Sequence, residues 1–176
     1  MWFRKNYNKE NLGVDRIGLI IAAINKFPKV DCLVIDAGSC LTFDLISSKS
    51  VHKGGLISPG LLMRFKSLSQ HTSKLPYINF EDKITEMGID TENSIQSGTL
   101  EGFIFEINGQ IEKYKRKTPN LKVILTGGDS KYLYKRIKNS IFAEQEFLAS
   151  GLIVLNDKSS NSSCHSFIPN LCASGE

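Results

Sequence analysis

The sequence lacks several things that would place it quickly. Its four cysteines, Cys32, Cys40, Cys164 and Cys172, form no Cys-x-x-Cys pair, which excludes a zinc ribbon or a dithiol redox motif. Cys32 and Cys40 lie in apolar, strand-like segments, the usual setting of buried thiols in a reducing compartment. Cys164, His165 and Cys172 offer metal donors, but no fourth zinc ligand is evident. The longest apolar run, Ile17 to Ile24, is far too short to cross a bilayer, and no signal peptide precedes it. No charge of one sign dominates: 22 basic and 18 acidic residues leave a net charge of +4, with lysines scattered among acids. That pattern describes a solvated surface rather than a nucleic-acid footprint. The densest basic run, Lys113 to Lys117, falls at an expected helix end, where cations suit the dipole. The chain reads as cytoplasmic, with neither membrane nor nucleic acid as a partner.

What is present is ordinary for a globular domain: 41% hydrophobic and 23% charged residues over 176 positions. That length carries one core, with room for a fragment of a second domain. Asp15 is the expected N-cap of a helix over Arg16 to Lys26, with apolar Ile17, Ile20, Ile21 and Ile24 on one side and a stop at Pro28. Three strands are expected at Cys32 to Asp36, Leu41 to Ser47 and Val51 to Ile57, joined as a meander. Pro59 stands at the start of a helix continuing from Leu61 to Gln70. Thr91 is the expected N-cap of a long helix reaching Lys117. Within it Gly98, Gly102 and Gly109 are costly and point to close packing against another helix or a partner chain. Lys122 to Thr126 is a buried strand, a short helix follows from Lys131, and Leu148 to Leu155 is a last apolar segment. After Asn156 the composition shifts to Ser, Asn and Cys, which reads as a disordered tail. The sum is an α/β fold, a mixed sheet with helices on its faces.

Two glycine turns end apolar strands. In Asp36-Ala37-Gly38-Ser39, Gly38 permits close backbone approach to a phosphate, Ser39 can donate to it, and Asp36 can hold a cation. A tight hairpin turn accounts for the same residues equally well. Thr126-Gly127-Gly128-Asp129 precedes a helix, where open α/β sheets bind nucleotides, though an ordinary strand-to-helix turn looks the same. In Gly13-Val14-Asp15-Arg16, Asp15 is placed to orient or deprotonate a hydroxyl and Arg16 to grip a carboxylate. From the residues alone, an N-cap explains Asp15 better. His52 and His71 are isolated and read as core or surface histidines.

Taken in order, Gly13 to Arg16, Asp36 to Ser39, Gly54-Gly55-Leu56-Ile57-Ser58-Pro59-Gly60-Leu61, Thr72 to Pro76, Gly88 to Thr91 and Thr126 to Asp129 resemble the type III pantothenate kinases of coenzyme A synthesis. The resemblance covers about residues 7 to 155. It implies an actin-like (ribonuclease H-like) fold, mostly the C-terminal domain of a two-domain kinase. Residues 1–28 would be the remnant of the first domain, 29–156 the kinase domain and 157–176 the tail. It implies ATP-dependent phosphorylation of pantothenate, with Asp15 as proton acceptor and Tyr7, Gly13, Val14, Arg16 and Thr91 at the substrate. Ser39, Gly38, Gly127 and Gly128 would face ATP. Asp36 would bind a monovalent cation, potassium or ammonium, with magnesium accompanying the nucleotide. The family's homodimers keep their sites near the subunit interface, which suits the glycine-bearing helix after Thr91.

Three departures accompany the resemblance. Ser39 replaces the usual threonine and Val14 the usual alanine. The family's first phosphate loop, Asp-x-Gly-Asn-Thr, is not found, so the chain reads as the C-terminal two-thirds of such an enzyme. The alternative reading is a non-catalytic remnant or a dimerising regulatory subunit. A related transcriptional regulator is a third, disfavoured because no DNA-binding module is present.

Overall fold

The architecture follows from one strand that is apolar on both sides. In β1 (Cys32–Ala37), Leu33, Ile35 and Ala37 face one core and Cys32 and Val34 face another. A strand buried on both faces belongs at the middle of a sheet, and β1 is there. The structure is a computed structural model that describes residues 12–137, 141–143 and 147–161. Its five-stranded sheet has the order β3-β2-β1-β4-β5, with β2 (Cys40–Ser47), β3 (Val51–Pro59), β4 (Lys122–Thr126) and β5 (Ile141–Ala143). β2 runs antiparallel to both β1 and β3, whereas β4 is parallel to β1 and to β5. This mixed sheet has the ribonuclease H-like order that the resemblance implies.

Helices cover both faces. On one side α2 (Leu61–His71), α3 (Thr91–Lys117) and the short α4 (Ser130–Leu133) bury Leu61, Phe65, Leu100, Phe103, Ile107, Ile111 and Leu133 against Leu33, Ile35, Phe43 and Val123. On the other, α1 (Val14–Lys26) sets Leu19, Ile20, Ala22 and Ala23 on Cys32, Val34, Ile46 and Ile124. α5 (Phe147–Asn161) closes over α1, where a Cβ on Gly151 would lie 2.0 Å from the Gly18 carbonyl oxygen.

Several expectations are corrected. Asp15 is not an N-cap: Gly13 holds that position without a side-chain hydrogen bond, and Asp15 lies in the first turn. The cap of α3 is Asp90, whose carboxylate accepts the Asn93 backbone N–H at 2.8 Å, so Thr91 is the first helical residue. Pro59 ends β3 rather than starting α2, which Gly60 caps. Cys40 is exposed at the mouth of β2, although Cys32 is buried. α5 runs to Asn161, past Asn156, because Asp, Lys, Ser and Asn each cost a helix only a few tenths of a kcal/mol, about the spread of ordinary propensities. Cys164, His165, Cys172 and the rest of that tail lie outside the described residues. β5 has three residues, too few for any period to announce it.

Candidate active site

Because β1 and β4 are parallel neighbours, their carboxyl ends emerge side by side, with Asp36 opposite Thr126. The two glycine turns therefore adjoin. Gly127 has φ +93°, and a Cβ there would lie 2.4 Å from both the Ala37 oxygen and Asp36 Oδ1. Only glycine fits that backbone at that spacing. The Asp129 backbone N–H then donates to the Ala37 carbonyl at 2.9 Å, tying the turns together. Gly38-Ser39 is a hairpin turn, its Gly38 N–H donating to the Cys40 carbonyl at 3.1 Å. It is also one wall of this cleft, so the bland and the functional reading describe the same atoms. Space is open beside Gly128, where an added Cβ meets nothing within 4 Å, and beside Gly38, where it meets only Asp36 Oδ1 at 3.7 Å. A third loop presses on the hairpin: a Cβ on Gly60 would lie 2.2 Å from the Gly38 oxygen.

Asp36 is the electrostatic centre. Burial, followed by the negative charges of Asp15, Asp44 and Asp129, pushes its carboxyl up to about 6. Burial also raises Asp129, against the opposing pull of Lys131. Carboxylates gathered at a strand end disfavour one another's charge, and a cation would relieve them. Among the described residues no three His, Cys, Asp or Glu side chains converge closely enough to hold a metal ion by themselves. Asp15 itself is exposed on the first turn of α1. Its carboxylate folds back over Gly13, where a Cβ would lie 2.5 Å from Asp15 Oδ1. The Asp15 charge is close enough to Asp36 to oppose its ionisation.

The bidentate grip expected of Arg16 exists, but its partner is in the protein. Arg16 Nε donates to Asp44 Oδ2 at 2.9 Å and Nη2 to Oδ1 at 2.6 Å, with both side chains buried. His52 Nε2 lies 2.7 Å from Asp44 Oδ1, and the imidazole is fully buried. Neither Asp44 nor this role of His52 is legible in the sequence. Asp44 falls on the polar beat of an alternating strand, and its partner is 28 residues upstream. Only the tertiary structure singles it out, by burying Thr42 and Asp44 on the face of β2 that α1 covers.

Thr91 is not brought to this cleft within the described residues. It lines a groove of about 770 Å³ with Leu68, Leu75, Ile89 and Ile95. Val14 is exposed beside Asp15. Tyr7 lies outside the described residues.

The family model that matches the chain is that of the type III pantothenate kinases, over residues 2–113. Among similar curated proteins, type III pantothenate kinases from Flavobacterium psychrophilum and Christiangramia forsetii are 42% and 46% identical, each over 151 residues. In both cases 85% of this chain is covered, and it spans 63% and 62% of those relatives' length. Among solved structures, a Campylobacter jejuni protein described as a Baf family transcriptional activator superposes with a TM-score of 0.61 at 26% identity, over 92% of this chain and 71% of that one.

Proposed function

The chain belongs to the type III pantothenate kinase family, and on that premise we propose that it serves ATP-dependent phosphorylation of pantothenate to 4'-phosphopantothenate, the first step of coenzyme A synthesis. The observation that supports this reading is the pair of interlocked glycine turns around Asp36, a carboxyl whose ionisation is opposed by burial and then by the nearby charge of Asp15. Residues 29–156 then form the second domain of a two-domain kinase, and residues 1–28 contribute the substrate segment next to it.

In this reading Asp15 accepts the proton of the pantothenate primary hydroxyl. Phosphoryl transfer has a loose transition state, so positioning matters more than strong proton abstraction, and a carboxylate on a helix's first turn suffices. Gly13 gives that carboxylate its room, Val14 and Tyr7 would contact the substrate, and Arg16 supports the segment from the sheet side through Asp44. Gly38, Ser39, Gly127 and Gly128 face the phosphates, where the space beside Gly38 and Gly128 admits them. Asp36 would hold a monovalent cation, potassium or ammonium, and magnesium would travel with ATP. The donor set fits: a single carboxylate raised by burial and by neighbouring acids gains from a cation without building a closed metal cage.

The assembly is a homodimer, and the protein works in the cytoplasm. No described helix is long and apolar enough to cross a membrane. On α3, Gly98, Gly102, Phe105 and Gly109 share one side. Phe105 is 67% exposed, and a Cβ on any of the three glycines would meet nothing within 4 Å. Their close-packing partner is thus sought in a second chain, which would also bring Thr91 towards a substrate site.

The test is pantothenate-dependent ADP release with potassium and magnesium. Turnover is expected from the wild type and a loss of at least about 100-fold from Asp15→Asn, the range of general base removal. An unchanged rate in Asp15→Asn would sink the assignment. Failure of the wild type to bind ATP would favour the non-catalytic, dimerising reading.

A further inference from the structure

We infer that Asp44 and His52 are positioning residues, which lock the Arg16 guanidinium against the sheet and thereby hold the first turn of α1, and the Asp15 carboxylate on it, in place. The inference rests on the reading of Asp15 as the base.

Among the described residues, no side chain caps the helix end that carries Asp15. Its N-cap is Gly13, which offers no side chain to the free backbone N–H groups, and its first internal bond is Ile17 N–H to the Gly13 carbonyl at 3.1 Å. Such an end frays unless something outside the helix restrains it. Arg16 is that restraint. It immediately follows Asp15, so the two side chains leave the helix about 100° apart, from 3.6 residues per turn. Turning Arg16 into the sheet leaves Asp15 at the open edge.

Two strands, β2 and β3, converge on Arg16. Asp44 of β2 accepts both of its N–H groups in a planar fork, which fixes direction as well as distance. His52 of β3 fixes Asp44 in turn. A carboxylate oxygen that accepts from Arg16 can only accept from the ring as well, so His52 Nε2 is the donor at 2.7 Å. Gly55 of β3 supplies the notch: a Cβ there would lie 2.3 Å from Arg16 Nη2 and 2.6 Å from Asp44 Oδ1. A buried ion pair is a poor way to gain stability compared with apolar side chains of the same volume. Its presence here is explained by orientation, since the fork dictates the rotation of the turn bearing the base.

The experiment uses the whole 176-residue chain and two readouts. In Asp44→Asn, amide hydrogen exchange at Ile17 and Gly18 is expected to accelerate at least about tenfold while β1 amides stay protected. The kcat for pantothenate-dependent ADP release should fall about 100-fold with KM for ATP within about twofold, the signature of a misplaced reacting group. Should Asp44→Asn unfold, Arg16→Met/Asp44→Leu removes both charges at similar volume. It is expected to stay folded, with the same loss at Ile17 and in kcat. His52→Leu should show a smaller loss, about tenfold, which His52→Gln recovers by restoring an N–H donor.

Wild-type exchange at Ile17 in all these variants overturns the inference, as does wild-type kcat in them beside an inactive Asp15→Asn. Full turnover by Asp15→Asn overturns the base assignment instead. If the wild type shows no turnover, the exchange at Ile17 decides the inference alone.

Discussion

Gly127 and Asp36 occupy a space that admits no further atom: a Cβ on Gly127 would sit 2.4 Å from Asp36 Oδ1 and equally close to the Ala37 oxygen. The close approach joins two turns that are about ninety residues apart in the chain into one wall of the cleft.

Gly127→Ala should therefore cost about 2 kcal/mol or more in denaturant unfolding, because strain at positive φ adds to a backbone collision. Gly128→Ala, beside open space, should change stability by less than about 0.5 kcal/mol. ATP affinity measured by titration should fall in both, since the second methyl projects where phosphate is expected. Equal stability losses in the two variants would contradict the packing described.

Asp36 makes stability fall as pH rises. Its folded-state value, about 6, lies above its ordinary 3.8. Between those values the folded chain keeps a proton that the unfolded chain has released, so this group's penalty grows from about pH 4 and is complete above about pH 6. Asp36→Asn should thus be neutral near pH 4 and stabilising by on the order of 2 kcal/mol at pH 7.5, allowing for partial solvent screening. Urea denaturation at the two pH values measures it. Potassium, if held at Asp36, should raise Tm more at pH 7.5 than at pH 5.

Helices α1 and α5 touch through glycine. A Cβ on Gly151 would lie 2.0 Å from the Gly18 oxygen. Alanine is otherwise the better helix former by about 1 kcal/mol, so an exposed Gly151 would gain from Gly151→Ala. Here overpacking should win, with a net loss of about 1–3 kcal/mol. A higher Tm in Gly151→Ala would show that α5 does not sit on α1 this way.

The exposed face of α3 makes the dimer testable. Sedimentation of the full chain is expected to show a dimer, and Phe105→Asp should shift it to monomer by placing a charge among Gly98, Gly102 and Gly109. A dimer unaffected by Phe105→Asp would place the interface elsewhere.

Local pattern carried much of the fold into view. The β1–β3 meander, α3 to Lys117 and β4 are legible from apolar periodicity, because each buries a face whose spacing is fixed by its own backbone. Helix ends were less legible. Asp and Thr are both good caps, and which residue takes the non-helical position depends on how the chain enters: Gly13 precedes α1 and Asp90 precedes α3.

The sequence by itself determined the strand-ending glycine turns, the order of the motifs and the family to which they belong. Tertiary structure alone decided their relations. Parallel pairing of β1 with β4 brought Asp36 to Gly127, packing of α1 on the sheet turned Arg16 inward to Asp44, and the β3 edge delivered His52 and Gly55. The physical reason is range. Propensity and periodicity act over a few residues, whereas a buried guanidinium or a missing Cβ acquires its meaning from atoms tens of residues away.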